Sequence, residues 1–167
     1  ILVRAYTVQI GPVRAERVDP DQIERNPVRC CDGEAAQAME AAILDAQQAG
    51  NSLGGVIQLE VTGLPVGLGD PVFGKLDARL GGALFSIGAV KGVEFGSGFA
   101  SAGMTGAESN DRMQDGAFVT NNAGGIQGGI STGQPLIARV AVKPTPSVSL
   151  PQETIDLDGR NRTIAIE

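Results

Sequence analysis

The 167-residue sequence has no histidine, the side chain that most often transfers protons in enzymes near neutral pH. Catalytic schemes that need a histidine, such as the Ser-His-Asp and Cys-His arrangements and the HExxH zinc motif, are therefore excluded within this chain. Carboxylates, lysines and Tyr6 are the remaining groups that could transfer a proton. Glu94, Glu108 and Asp111 are the candidate carboxylates, and ordinary solvated surface positions are the alternative interpretation of all three.

The sequence is also poor in aromatic residues, at 4%, and in positive charge, with a net charge of −6. Its 13 lysines and arginines are scattered, so neither a basic patch nor a base-stacking surface for nucleic acid is expected. No apolar run approaches the roughly 18 residues that a membrane helix needs, so no membrane partner is expected either. The two cysteines, Cys30 and Cys31, are adjacent and cannot link distant segments, and we expect them to be reduced thiols.

Glycine, in contrast, is abundant: 24 residues, about twice the average share of roughly 7%. The apolar fraction of 42% and the charged fraction of 19% are typical of a globular protein, and the length predicts about one domain. The sequence starts at Ile1 in an apparent strand and ends in another at residues 164–167. We therefore expect residues 1–167 to be the central part of a single, longer domain, truncated at both ends.

Periodicity and capping residues predict two helices among about six strands. Alternating apolar residues predict strands at residues 2–10, 54–62, 90–95, 136–143, 154–157 and 163–167. The first helix is expected to start after the N-cap Asp32 and to end at Gly50. The second is expected to start after Asp70, with Pro71 in its first turn. This order of elements favours an α+β fold, with helices layered on largely antiparallel sheets.

Residues 69–75 match the G-x-x-x-x-G-K part of a phosphate-binding loop. Leu76 then stands where such a loop needs a hydroxyl for magnesium, and Pro71 removes one backbone N–H donor. A module that binds a nucleotide between Gly69 and Lys75 is therefore an alternative function. The simpler interpretation is a capped helix start with Lys75 on the solvent side.

The glycine-rich segment, residues 120–133, is the densest run of glycine in the sequence. Its paired glycines at 124–125 and 128–129 would let a ligand approach the backbone and its N–H donors closely. Asn121 and Asn122 add side-chain amides that could pair with a phosphate or with the imide edge of a ring. The segment is thus interpreted as a cofactor cradle, and a turn or bulge that only redirects a strand is the alternative.

A second candidate segment, KPTPS at residues 143–147, follows a predicted strand. Its two prolines stiffen the backbone, while Lys143, Thr145 and Ser147 offer one cation and two hydroxyls in a fixed geometry. Fixed donors lose little entropy on binding, which suits a phosphate or the polar edge of a ring. An ordinary strand-to-loop exit is the alternative interpretation.

Seven segments of the sequence, taken in order, resemble the chorismate synthase family, and the resemblance spans nearly the whole chain. They are NPVRCCDGEAAQAM (26–39), GNSLGGVIQLEVTGLPVGLGDPVFGKLDARL (50–80), SIGAVKGVEFGSGF (86–99), GAESND (106–111), TNNAGGIQGGISTGQPL (120–136), KPTPS (143–147) and TIDLDG (154–159). The resemblance implies a β-α-β sandwich and a lyase of the shikimate pathway of aromatic amino acid biosynthesis. The implied reaction is the anti-1,4-elimination of phosphate from 5-enolpyruvylshikimate 3-phosphate, which gives chorismate and requires reduced FMN (FMNH2).

The same resemblance implies a homotetramer in the cytoplasm, or in the plastid of a plant or alga. NADP is implied only if the enzyme also reduces its own flavin, a distinction that the sequence leaves open. The two histidines that donate protons in the family belong to motifs before residue 1, as do most arginines that hold the substrate phosphates. No catalytic residue is therefore expected within this chain, which should be inactive alone. A non-catalytic structural remnant is the alternative.

The resemblance also assigns the cofactor-binding residues. Matched motif by motif, the flavin contacts fall on Gly88, Ala89, Gly128, Lys143, Pro144, Thr145, Pro146 and Ser147, with Asn121 and Asn122 in the same region. Gly88 stands where a larger residue is common in the family, so only its backbone is expected to contact the flavin. We expect main-chain amides around Gly128 and the ammonium group of Lys143 to converge on the isoalloxazine ring.

Overall fold

The structure, a computed structural model, describes residues 1–166. Its strands are β1 (Leu2–Ile10), β2 (Val13–Arg14), β3 (Gly55–Thr62), β4 (Val90–Phe95), β5 (Met113–Gln114), β6 (Ala117–Phe118), β7 (Ile126–Gln127), β8 (Ile130–Ser131), β9 (Leu136–Val142), β10 (Gln152–Ile155) and β11 (Asn161–Ile164). Its helices are α1 (Gly33–Gln48), α2 (Leu76–Phe85) and the single turn α3 (Gly106–Ser109), with 3-10 turns at Pro20–Arg25 and Gly98–Gly103. Within the described residues, none of these helices has the length and apolar character to cross a membrane.

Five strands hydrogen-bond in the order β2-β1-β3-β9-β4, and the remaining strands form three antiparallel pairs, β5-β6, β7-β8 and β10-β11. Strands β4 and β9 are antiparallel, with a register shift between Val90 and Gly92. Antiparallel pairing with a few helices confirms the predicted α+β class. The final predicted strand, residues 163–167, overlaps the end of β11, and Glu167 lies outside the described residues.

By its internal contacts the chain divides into two compact units. The first unit comprises Ile1–Tyr6 and Val56–Val142. Its core contains Ile126, Leu136 and Ala138, all buried, and leucines of α2 pack against them. Leu136, Ala138 and Val140 of β9 are buried, whereas the residues between them are only partly buried, because side chains of a strand alternate between its two faces. The apolar stripe of α2 therefore covers one face of β9.

The second unit comprises residues 7–55 and 143–166. Its main helix, α1, begins as predicted at Asp32, whose carboxylate accepts hydrogen bonds from the N–H groups of Glu34 and Ala35. These bonds satisfy donors that the first helical turn leaves without partners. The helix ends at Gln48, and Gly50 lies just beyond it with a φ of 66°.

The core of the second unit contains Met39 and Cys30, both fully buried, with Ala35 and Ala36 beside them. Cys31 is also fully buried, and both cysteines are free thiols. Burial raises the pKa of the Cys31 thiol to about 11, so it stays protonated near neutral pH. The prediction of two unlinked thiols is confirmed, and the thiol of Cys31 has little nucleophilic character.

The predicted start of the second helix is wrong. Asp70 and Gly74 instead form a closed turn, in which each N–H donates to the carbonyl of the other at 2.9 and 2.7 Å. Helix α2 begins only at Leu76, whose N–H donates to the carbonyl of Gly129 at 2.8 Å. This partner is distant in sequence, which explains why local capping signals at Asp70 and Pro71 misplace the boundary.

Candidate functional site

In the first unit, Gly128 lies at the tip of the hairpin formed by β7 and β8. Gly128 and Gly129 have φ angles of 59° and 86°, the left-handed conformations that a two-residue hairpin turn requires and that glycine tolerates best. Gly128 is exposed, and a Cβ added to it would meet no atom within 4 Å. The backbone of the tip is therefore open to close approach by a ligand.

Gly129, the neighbour of Gly128, is buried because the side chain of Lys75 packs against it. A Cβ at Gly129 would lie 2.5 Å from Cγ of Lys75, and one at Gly69 would collide with the Gly129 carbonyl. The loop that resembles a phosphate-binding motif therefore packs directly against the hairpin. Its Lys75 pairs with Asp77 at 3.1 Å, and two of its N–H groups are used within the turn described above. This geometry disfavours a nucleotide site between Gly69 and Lys75.

Ser131 connects strand β8 to the loop before α2. Its buried hydroxyl donates to the carbonyl of Pro65 at 2.7 Å and accepts from the N–H of Leu68 at 2.9 Å. Its backbone N–H also donates to the Leu68 carbonyl, and its carbonyl accepts from Gly67. These four bonds fix the second strand of the hairpin.

Asp111 performs the corresponding role before the hairpin. Its Oδ1 accepts from the Thr120 hydroxyl at 2.8 Å and from the N–H of Asn122 at 2.6 Å, and its Oδ2 accepts from the N–H of Ala123 at 2.9 Å. Partial burial acts to raise the pKa of Asp111, but these bonds outweigh burial and hold the pKa below its ordinary value. Asp111 is thus a fixed carboxylate anion, which does not suit it for proton donation.

The side-chain amides of Asn121 and Asn122 are used within the glycine-rich segment and its surroundings. Asn121 accepts from the N–H of Gly125 at 2.8 Å and donates to the carbonyl of Pro135 at 2.8 Å. Asn122 donates to the carbonyl of Glu108 at 3.0 Å. Their contribution in this structure is to the shape of the segment, because their amide groups already have partners.

The other two candidate carboxylates also accept hydrogen bonds as anions. Glu108 completes a capping box at α3, and the N–H and hydroxyl of Thr105 lower its pKa. Glu94 pairs with Arg139 at 2.7 Å and accepts from the N–H of Phe99 at 3.2 Å. The arrangement gives none of the three carboxylates the features of a general acid.

Gly88 and Ala89 form the exposed turn between α2 and β4. Ala89 has a φ of 68°, an uncommon conformation for a residue with a Cβ, and a Cβ at Gly88 would meet no atom within 4 Å. As at Gly128, the backbone of this turn is accessible. Because glycine has no side chain, a ligand at position 88 could contact only this backbone.

In the second unit, residues 143–147 follow β9 as an irregular, mostly exposed segment. The carbonyl of Thr145 accepts from the Ser52 hydroxyl at 2.7 Å, which ties the segment to the loop after α1. Lys143 is half-buried, and within residues 1–166 its ammonium group has no hydrogen-bond or ion-pair partner. The segment therefore presents an uncompensated cation next to exposed hydroxyls.

Sequence reasoning missed a polar network across the first unit. Arg139 donates to Gln58 at 3.0 Å and pairs with Glu94, and Gln58 donates to the hydroxyl of buried Tyr6 at 2.7 Å. The network borders an open cleft of about 310 Å³, which is lined by Gln58, Gly96, Ser97, Asn121, Ile137 and Arg139. The only signal in the sequence was one arginine within the otherwise apolar strand β9.

The structure places the predicted cofactor residues in two groups. Gly88, Ala89, Asn121, Asn122 and Gly128 belong to the first unit, whereas residues 143–147 belong to the second. We predict from the sequence that the backbone of Gly128 and the ammonium group of Lys143 contact the same flavin ring, and this stays a prediction.

Comparison with known proteins gives a consistent result. A family model described as chorismate synthase matches residues 1–167. The chain is 52% identical over 162 residues to a chorismate synthase of Desulfatibacillum aliphaticivorans, covering 97% of the chain and 45% of that protein. It is 51% identical over 172 residues to a chorismate synthase of Methanothermobacter thermautotrophicus, covering 98% of the chain and 46% of that protein.

One solved structure, described as a crystal structure of chorismate synthase, superposes with a TM-score of 0.78 at 29% identity. The match covers 85% of this chain and 49% of the solved chain. The chain thus spans about half the length of the curated relatives that it matches.

Proposed function

The chain belongs to the chorismate synthase family, and we propose that it is the central part of a longer enzyme of that activity, called the complete protein below. The proposed reaction is the anti-1,4-elimination of phosphate from 5-enolpyruvylshikimate 3-phosphate, which gives chorismate. This reaction belongs to the carbon–oxygen lyases that act on phosphates. The observation that best supports a ligand-binding role for this part is the open hairpin tip at Gly128, held from both sides by partly buried hydrogen bonds.

Reduced FMN is the proposed cofactor, and the residues present fit its chemistry. When bound, it would supply electron density to the substrate as the phosphate departs. The ammonium group of Lys143, which has no partner within residues 1–166, suits an anionic phosphate or an electron-rich ring edge, and the exposed hydroxyls of Thr145 and Ser147 are adjacent donors. Pro144 and Pro146 fix the backbone φ angles between these groups, so the donors lose little conformational entropy on binding.

The turns of the first unit would contribute main-chain contacts. Gly88, Ala89 and Gly128 are exposed, and a Cβ at Gly88 or Gly128 would meet no atom within 4 Å, so the peptide groups of these turns can approach a planar ring closely. Asn121 and Asn122 would maintain the shape of the glycine-rich segment through the bonds described above.

The proton transfers of the reaction would depend on other parts of the complete protein. This chain has no histidine, and its three candidate carboxylates are engaged as hydrogen-bonded anions. We therefore expect residues 1–167 alone to be inactive, and we expect the complete protein to be a cytoplasmic homotetramer. A non-catalytic structural role would be indicated if the complete protein failed to bind FMN.

The experiment is an FMN titration of the complete protein, followed by flavin fluorescence, with the substitution Lys143→Ala. Loss of a charged hydrogen bond should weaken binding by about 1–3 kcal/mol, or roughly 5- to 150-fold in dissociation constant. Lys91→Ala, at an exposed lysine of β4, is the matched control and should leave the dissociation constant unchanged. An unchanged dissociation constant for Lys143→Ala would remove this residue from the proposed site.

A further inference from the structure

The carboxylate of Asp111 lies against the start of the glycine-rich segment and accepts hydrogen bonds from three of its groups. These are the hydroxyl of Thr120 and the backbone N–H groups of Asn122 and Ala123, at 2.8, 2.6 and 2.9 Å. Both carboxylate oxygens are used. Three donors on one charged acceptor hold this backbone more firmly than neutral pairs would.

The contacts continue from residue 123 toward the hairpin. The carbonyl of Asn121 accepts from the N–H of Gly124 at 3.1 Å, and its side chain accepts from the N–H of Gly125. The carbonyl of Gly124 in turn accepts from the N–H of Ile137 in β9 at 3.1 Å, and that of Gly125 accepts from Thr132 at 2.9 Å. The backbone between Asp111's partners and the hairpin is therefore bonded almost residue by residue.

Ala123 links Asp111 to the hairpin itself. Its N–H donates to the Asp111 carboxylate, and its carbonyl accepts from the N–H of Ile126 at 3.4 Å. Ile126 is the first residue of β7 and lies two positions before Gly128 at the tip. One residue thus bonds both to Asp111 and to the hairpin that carries the proposed flavin contact.

We propose that Asp111 is a positioning residue for flavin binding, which holds the Gly128 tip in its binding conformation through the backbone at 122–123. The inference rests on the proposed function. Asp111 would touch neither flavin nor substrate. Its effect would be on affinity, because a turn already ordered before binding loses less conformational entropy when the ligand arrives.

Asp111→Asn is the informative substitution, because it keeps the size of the side chain and replaces one acceptor oxygen with an amide donor. Each carboxylate oxygen accepts from a backbone N–H, of Asn122 or of Ala123, so the new donor would face an N–H group, which cannot accept its hydrogen bond. Asp32→Asn is a matched control in the other unit, since both oxygens of Asp32 also accept backbone N–H groups, from Glu16 and Arg17 on one side and the first turn of α1 on the other.

The test compares these two variants in the complete protein by FMN titration, thermal unfolding and amide hydrogen exchange. Both variants should melt at a lower temperature than wild type. Only Asp111→Asn should raise the FMN dissociation constant, by about tenfold, and speed exchange of the amides of residues 120–129. The absorption spectrum of the bound flavin should also change in Asp111→Asn alone, because the peptide groups next to the ring move.

Thr120→Val serves as a second variant, in case Asp111→Asn does not fold. It removes the hydroxyl that donates to Asp111, leaves the two backbone bonds to Asp111, and should raise the FMN dissociation constant by about threefold. The proposal is overturned if these variants bind FMN as Asp32→Asn does, or if exchange at residues 120–129 stays at the wild-type rate. Failure of the wild-type protein to bind FMN would instead refute the proposed function, while the exchange rates would still decide whether Asp111 orders the tip.

Discussion

The N-terminus of α1 and the glycine-rich segment are both organised by a carboxylate that accepts backbone N–H groups, but only the first has partners close to it in sequence. Oδ1 of Asp32 accepts from residues two and three positions later, at 3.1 and 3.3 Å, while its Oδ2 accepts from Glu16 and Arg17. Asp111 accepts from residues 9 to 12 positions later. The local bonds of Asp32 are visible in the sequence as a helix N-cap, whereas the bonds of Asp111 exist only once the chain has folded.

The two regions also differ in what stabilises them. Helix α1 packs Met39 and its alanines into an apolar core. The glycine-rich segment buries Ile126 as its one large apolar side chain among the described residues, and it depends otherwise on hydrogen bonds to Asp111 and Ser131. The second unit is therefore held mainly by apolar burial, whereas the proposed binding turn is held mainly by polar contacts, which fix its conformation and leave its backbone exposed.

The largest expected effect is a loss of stability on removing apolar burial from helix α1. Met39→Ala in the complete protein should lower the free energy of unfolding by about 2–5 kcal/mol, because a fully buried side chain is replaced by a cavity. Leu44→Ala on the same helix is the control, since Leu44 is 55% exposed, and it should cost well under half as much. Urea unfolding measures both, and equal losses would mean that α1 buries a different face.

The second prediction compares the two adjacent glycines of the hairpin tip, with stability measured by urea unfolding without flavin. Gly129→Ala should cost about 2–4 kcal/mol, because positive-φ strain adds to overlap with the Lys75 side chain. Gly128→Ala should cost only about 1–2 kcal/mol, since it has the strain and no overlap. A larger loss at Gly128 than at Gly129 would contradict the packing of the hairpin against the loop before α2.

The smallest effect concerns pH and the two carboxylates. Hydrogen bonds lower the pKa of Asp32, and the largest contribution comes from the N–H of Ala35. Burial acts to raise the pKa of Asp111, but its hydrogen bonds outweigh burial and lower that pKa as well. A carboxylate whose pKa is lower in the folded than in the unfolded protein stabilises the folded state at pH values above its unfolded-state pKa. That contribution is lost as the pH falls through the folded-state pKa. Unfolding free energy should therefore decline as pH drops past the ordinary carboxyl value of 3.8 and further below it.

Asp32→Asn and Asp111→Asn should each make this acid decline shallower, which urea unfolding across a pH series would show. Glu153→Gln is the control: this exposed carboxylate should leave the decline unchanged. If neither aspartate variant alters the decline, the two carboxylates do not stabilise the folded state through their charge.

The sequence was most informative where signals are local. The alternation of β1 and β9 and the N-cap of α1 lie within a few residues of the structure that they predict. The start of α2 was mispredicted because the hydrogen bond between Leu76 and Gly129 joins residues far apart in the chain. The interpretation of Asn121 and Asn122 as amides that could pair with a ligand did not include the partners, such as Pro135 and Glu108, that the folded chain places beside them.

By itself, therefore, the sequence determined the family, the α+β class and the candidate binding segments, because ordered motifs, side-chain period and caps are properties of neighbouring residues. Only the tertiary structure decided which donors surround Asp111, why Gly129 is buried while Gly128 is open, and how Arg139 is neutralised. Hydrogen bonds and steric overlap act over a few ångströms in space. A chain reveals them only when folding has brought distant residues within that range.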